Sequence, residues 1–187
     1  INAETLLKLR AKNPLRYLEG GDLKIYEETQ KEHEYVMLVD VSKGRGQDYS
    51  TFNVIDISAR PFKQVAVYRN NLISPLLFPN IIYKWANSYN KAYVVIESND
   101  QGSLVTNGLY HDLEYENMHV ESAIKANALG IEMTRKVKRL GCSSFKDILE
   151  NNKLEICDDD TILEISTFVA KGVSYEASPG NHDDLVM

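Results

Sequence analysis

YVMLVDVSKGRGQDYSTFNVIDI, residues 35–57, is the stretch whose reading decides the fold. It opens on the apolar run Tyr35 to Val39, sets Asp40 before Val41, crosses a polar, glycine-bearing loop from Ser42 to Tyr49, and resumes with the β-branched run Thr51 to Ile57. Two such runs around a glycine-containing loop read as strand, hairpin loop, strand. A lone carboxylate in an apolar strand is costly to desolvate, so Asp40 needs a compensating charge from elsewhere in the chain.

Downstream, Arg60-Pro61 supplies a turn and Phe62 to Tyr68 a third strand, which extends the pair into an antiparallel meander. The period then changes. Ile82, Trp85, Ala86 and Tyr89 recur at helical spacing behind Pro79, a residue suited to a first helical turn. Ala92 to Ile96 is a near-continuous apolar strand of the kind buried on both faces, and it ends in Glu97. A turn and a helix over about 103–113 follow, then a weak strand at Met118 to Val120.

Residues 121–142 are polar and basic and give no clear period. Ser144 with Asp147 resembles a capping box ahead of the stripe Phe145, Ile148 and Leu149, and Leu154 to Ile156 reads as a last strand. Asp158 caps an expected helix to Phe168 with Ile162, Ile165 and Phe168 inward, and a loop from Gly172 to Asn181 leads to HDDLVM, read as a helix start. Hairpin strands followed by βαβ crossovers predict an α/β domain. Its central sheet is mixed, antiparallel over the first three strands and parallel after them, with helices on both faces. Residues 1–34 read as an arm leading into one domain over 35–187.

Composition bounds the function classes. A chain of 187 residues, 43% hydrophobic and 26% charged, suits one soluble domain with a sizeable core. No apolar run of about 18 residues spans a membrane, and no secretory leader is visible. The start at Ile1 and the end at Met187 inside a helix-like stretch are expected of a segment of a longer protein. The net charge of −6 argues against a simple polyanion binder and predicts weak DNA binding by this chain alone. Cys142 and Cys157 lack Cys-x-x-Cys spacing and read as reduced, buried and structural.

Three carboxylate positions lie at element edges: Asp40, Glu97, and the pair Asp183-Asp184. Taken singly, Glu97 reads as a strand-end surface acid, and Asp183-Asp184 as helix-start residues complementing the dipole. Together they read differently. If the first and fourth strands are neighbours, Asp40 meets Glu97, and the final element can add Asp184. Like charges that close require a cation. An all-oxygen donor set fits Mg²⁺ or Mn²⁺, and two-metal phosphodiester hydrolysis needs such a cluster.

The motifs LVDVSKGRGQDYSTFNVID, VVIESNDQG, LGCSSFKDILENNKLEI and HDDLVM stand in one order between Tyr35 and Met187. In these the chain resembles the nuclease domain of the large terminase subunit of tailed bacteriophages, most closely the T-even type, with an RNase H-like fold. The resemblance implies metal-dependent endonuclease cutting of concatemeric DNA at the start and end of head filling, in the host cytoplasm. It makes Asp40 the carboxylate bridging two metals, with Glu97 and Asp184 as further ligands. Asp183 and Asp48 are additional candidates, although Asp48 equally suits a loop Asx-turn. His182 could orient a water or phosphate, or bond to backbone.

Lys43 and Arg45 flank Gly44 and could meet phosphates, while Lys125, Arg135, Lys136, Lys138 and Arg139 could line a groove along the duplex or form a solvated face. No G-x-x-x-x-G-K-[ST] occurs, so no P-loop is present and ATP is not expected to bind here. The resemblance implies a preceding ATPase domain and, through the full-length protein, a portal ring and a small terminase subunit as partners. A structure-selective resolvase and a non-catalytic docking module for DNA or portal are the rival readings.

Overall fold

The computed structural model describes residues 1–121, 128–171, 174–178 and 182–186. Its central sheet is built on β3 (Tyr35–Asp40), β4 (Ser50–Asp56) and β5 (Phe62–Asn70), an antiparallel meander as the hairpin reading requires. β6 (Tyr93–Ile96) adds parallel to β3, and β9 (Leu154–Glu155) parallel to β5, which makes the sheet mixed. β4 lies in the middle and all its residues are buried.

The residues ahead of Tyr35 do not stand apart from this sheet. β1 (Arg16–Leu18) pairs β2 (Leu23–Ile25), and β2 pairs β5. α1 (Ala3–Lys8) is capped by Asn2, whose side chain accepts from the Thr5 N–H. Strands of three residues are too short to carry a readable alternation. What gives them away is Leu23 and Ile25, both buried against the meander.

Alternation along β3 separates the two faces. Tyr35, Met37 and Val39 point into the main core, where α2 (Phe78–Ser88) sets Phe78, Ile82, Trp85 and Ala86 against them and α3 (Gly102–Asn107) adds Val105. Val36, Leu38 and Asp40 point the other way, toward α4 (Arg135–Glu150). α5 (Asp159–Thr167) joins the same side through a second cluster, with Ile165 packed on Leu149 and Ile156.

Several expectations shift. α4 is one helix of 16 residues capped by Thr134, so Ser144 and Asp147 lie in its interior and do not form its start. Its first half hangs over a cleft and not over a packed core, which is why it lacks a full apolar stripe. In α5 the buried residues are Thr161, Glu164 and Ile165, so the inward face is rotated from the stripe expected; Asp158 does cap it, accepting from the Thr161 N–H. Phe168 starts β10 (Phe168–Lys171), which pairs β11 (Ser174–Ala177), so the described part of the expected loop after Gly172 is a hairpin strand. Asp184 to Val186 form a turn closed by the Val186 N–H on the Asp183 carbonyl. β7 (Val120–Glu121) and β8 (Ala128–Leu129) pair beside Met118. Cys157 is buried and Cys142 only half-buried, and both are free. Among the described residues no helix is long and apolar enough to cross a membrane.

Candidate metal centre

Strand register brings the separated carboxylates to one place. Val39 lies opposite Ile96 in the parallel pair, so Asp40 and Glu97 are the next residues on adjacent strands, and the Glu97 N–H donates to the Val39 carbonyl at 3.1 Å. On its other side Asp40 pairs with Thr51 of β4, whose hydroxyl donates to the Asp184 main-chain carbonyl at 2.8 Å. Glu97 therefore approaches Asp40 from the β6 side and Asp184 from the β4 side. Gly102 makes room behind Glu97: a Cβ there would sit 1.8 Å from the Glu97 carbonyl oxygen. Gly44, at φ +65°, similarly lets the loop after Asp40 lie against the Ile73 carbonyl, 2.3 Å from where its Cβ would be.

The electrostatics match this placement. Burial pushes the Asp40 carboxyl up to about 7, with the charges of Glu97 and Asp184 adding to it against one hydrogen bond from the Val41 N–H. Burial also raises Glu97; Lys138 opposes that rise and Asp183 adds to it. Asp184 is raised by burial too, while the Tyr49 N–H (3.3 Å) and His182 (Nδ1 at 3.5 Å) hold it down and Asp48 and Asp183 push it up. All three carboxyls are raised chiefly by burial, and a hard divalent cation with oxygen preference would offset the charge they carry when ionised.

The sequence candidates separate in the structure. Asp48 is exposed in the loop yet close enough to be felt at Asp184, and Asp183 meets Lys138 at 3.8 Å. His182 stands edge-on to the Tyr49 ring at 5.3 Å. Lys43 bridges to Asp100 at 3.0 Å, so it ties the loop after Asp40 to the turn after Glu97, and Arg45 is exposed nearby. Arg135, Lys136 and Arg139 are exposed on α4, whereas Lys138 is half-buried and turned inward. Lys125 lies outside the described residues. Helical spacing marks Lys138 out: it continues the stripe Cys142, Phe145 and Leu149 by one turn, a signal that becomes readable only once α4 is known to start at Arg135.

Next to Asp40 and Asp184, a cleft of about 440 Å³ opens between the sheet and α4, lined by Leu38, Ile55, Val137, Phe145 and Ile148. Leu38 remains 43% exposed in it. Sequence reading also missed Glu164 of α5, which accepts from the Leu185 N–H at 2.7 Å. The sign was an acid at an inward position between Thr161 and Ile165.

Among the described residues, the one group of three acids with ligand oxygens all within 4.8 Å of one another lies elsewhere, at Asp158, Asp159 and Asp160. Its centre is already filled by the Lys24 ammonium, at 2.9, 2.6 and 2.8 Å from the three carboxylates. Burial works against that ammonium, yet the three hydrogen bonds hold its pKa above the ordinary lysine value. The ammonium thus occupies the middle of the tripod and offsets part of its negative charge.

The family profile described as Terminase RNaseH-like domain matches residues 37–187. The chain belongs to the terminase RNaseH-like domain family. In three dimensions it is similar to the large terminase nuclease from thermophilic phage G20c with bound magnesium, at TM-score 0.75 and 23% identity over 98% of this chain and 90% of that one. The same G20c nuclease is described with cobalt and with zinc. The Thermus phage P74-26 large terminase nuclease domain gives TM-score 0.71 at 24% identity, over 97% of this chain and 88% of that one. The human cytomegalovirus terminase nuclease domain gives 0.59 at 10% identity, over 100% and 90%. At these identities the likeness is one of fold, and the fold is the mixed RNase H-like α/β sheet flanked by helices.

Proposed function

We propose that this chain is the metal-dependent endonuclease domain of a phage DNA-packaging terminase, cutting double-stranded concatemeric DNA with Asp40, Glu97 and Asp184 as metal ligands. The observation that supports the reading is the register of β3 with β4 and β6, together with the Thr51 bond to the Asp184 main chain, which brings Asp40, Glu97 and Asp184 from distant parts of a terminase-family chain to one end of the sheet. The donor set fits Mg²⁺ or Mn²⁺, and two ions are the natural occupancy for phosphodiester hydrolysis. The ions, when bound, supply water activation at neutral pH and neutralise charge at the leaving oxygen. The chain's own part is to orient and shield: Asp40 is fixed by the Val41 N–H, Asp184 by Tyr49 and Thr51, and Asp48 and Asp183 tune the field around them. Lys43, Arg45, Arg135, Lys136 and Arg139 make sequence-tolerant phosphate contacts, the kind headful cutting needs, and Lys125 belongs to the same set.

The T-even-like motif string supports placing the domain downstream of an ATPase motor, working with a portal ring and small terminase subunit in the host cytoplasm; ATP does not bind to this portion. A resolvase reading has no observation favouring it here.

The test is nicking of supercoiled plasmid, with linear and branched duplexes as competitors. Cleavage is expected with Mg²⁺ or Mn²⁺, none with EDTA, and a rate that rises with pH. The sign follows from the protonation shifts. Asp40, Glu97 and Asp184 are all raised, so folding without metal favours their protonated forms. The stability they contribute is fully present below the unfolded carboxylate values near pH 4, and it is lost as pH rises through about 7 for Asp40. Metal binding competes with those protons, so affinity and cutting climb through the same window. Cleavage in EDTA, or a rate that falls from pH 6 to 8, contradicts the reading.

A further inference from the structure

The turn carrying Asp184 is gripped along its backbone. Thr51 donates to the Asp184 carbonyl at 2.8 Å, Asn53 donates to the Leu185 carbonyl at 3.2 Å, and Glu164 Oε2 accepts from the Leu185 N–H at 2.7 Å. The Leu185 side chain is buried against Tyr26, Val67 and Cys157. Glu164 is the member that packing does not explain. It is a carboxylate only 4% exposed, at an inward position of α5 where an apolar residue would serve the core at less desolvation cost.

Its second oxygen leads to a second route. Among the described residues Glu164 Oε1 has no hydrogen-bond partner, and it lies 3.5 Å from Arg69 Nη2. Arg69 reaches Asp160 at 3.4 Å, and its guanidinium carbon sits 3.8 Å over the Tyr49 ring. The Tyr49 N–H donates to Asp184 Oδ2 at 3.3 Å, and its ring meets His182, whose Nδ1 is 3.5 Å from that same oxygen. Contacts starting at Glu164 thus return to Asp184 twice, once through the Leu185 N–H and once through Arg69 and Tyr49.

Resting on the metal-centre reading above, we propose that Glu164 and Arg69 are positioning residues for Asp184, one holding the backbone of its turn and the other the loop that hydrogen-bonds its carboxylate. A buried acid that orients a metal ligand offsets its desolvation because misplacing the ligand weakens the site. Glu164→Gln keeps an acceptor for the Leu185 N–H, and Glu164→Leu keeps the volume without it.

The experiment is calorimetric titration of the whole 187-residue chain with Mn²⁺ in the absence of DNA, together with amide exchange at Leu185. Glu164→Leu is expected to bind Mn²⁺ about 10- to 100-fold more weakly, the usual effect of losing a group that orients a metal ligand. Its Leu185 amide exchanges faster than in wild type, while Glu164→Gln stays close to wild type on both readouts. A purely structural glutamate would lower the melting temperature and leave the Mn²⁺ affinity of the folded protein unchanged, which overturns the proposal. A Gln variant as weak as the Leu variant also overturns it. If Glu164→Leu does not fold, the Gln variant and the wild-type Leu185 amide decide: slow exchange with retained Mn²⁺ binding supports the clamp, and fast exchange in wild type refutes it. Asp184→Ala separates the two levels. Wild-type Mn²⁺ binding in that variant fails the metal-centre reading itself, whereas lost binding there with wild-type binding in Glu164→Leu fails only this inference.

Discussion

Asp40→Ala is expected to lower metal-dependent plasmid cleavage by at least about 10³, equivalent to roughly 4 kcal/mol of transition-state stabilisation and at the upper end for a single group aimed at developing charge. Asp40 ends β3 between Glu97, the residue after β6, and Thr51 of β4, which bonds the Asp184 main chain, so under the proposed reading its loss removes the carboxylate that stands between the other two proposed ligands. Loss of activity by unfolding is separable from loss of chemistry. Asp40 is raised to about 7 by burial and by its acidic neighbours, so at pH 8 its charge works against the metal-free fold. Asp40→Asn keeps an acceptor for the Val41 N–H and removes that charge. Without metal at pH 8 it should therefore melt at or above the wild-type temperature while being as inactive as Asp40→Ala, the trade between stability and activity expected at such sites. A folded Asp40→Asn that still cuts at a tenth of the wild-type rate or more would remove Asp40 from the centre.

Asp158→Ala should give the largest stability change in the molecule, a loss of about 3–5 kcal/mol, the usual cost of breaking a buried hydrogen-bonded charge pair. Asp158 is fully buried. Its Oδ1 accepts from Lys24 at 2.9 Å and from Tyr26 at 2.8 Å, and its Oδ2 accepts from the Thr161 N–H at 2.7 Å and hydroxyl at 2.9 Å. Truncation uncaps α5 and leaves the Tyr26 and Thr161 hydroxyls short of a partner, while Lys24 of β2 keeps only Asp159 and Asp160 of its three carboxylates. Unfolding in urea followed by circular dichroism checks this, and the melting temperature should fall by about 6–20 °C for a chain of this length. A change under about 1 kcal/mol would mean that Asp159 and Asp160 carry Lys24 unaided and that the cap is dispensable.

How much of this was legible follows from particular residues. Asp40 and Glu97 could be found because each interrupts or ends a strongly apolar strand, and the pairing of those strands follows from a meander plus one crossover. The pair Asp183-Asp184 stood out by its place after a loop, but the choice of Asp184 over Asp183 came through the resemblance, since two aspartates before three apolar residues read equally well as a helix start. The first half of α4 stayed hidden because it spans a cleft: only Val137 and Leu140 are apolar among Arg135 to Gly141, and Leu140 is 54% exposed. With its phase unknown, nothing distinguished Lys138 from the three outward cations beside it. Glu164 was masked for a related reason. An acid within a helix reads as surface until its neighbours Thr161 and Ile165 are seen to be buried, and its partner, a backbone N–H of Leu185, leaves no mark in side-chain pattern. β1 and β2 were illegible through brevity, being held by the edge of β5 and not by any alternation of their own.

Mn²⁺ soaked into crystals of the metal-free protein at pH 8, located by its anomalous scattering, tests the central claim most directly. The account predicts density bounded by the carboxylates of Asp40, Glu97 and Asp184, absent from crystals of Asp40→Ala. Mn²⁺ at Asp158, Asp159 and Asp160 in place of the Lys24 ammonium, with none beside Asp40, would contradict it.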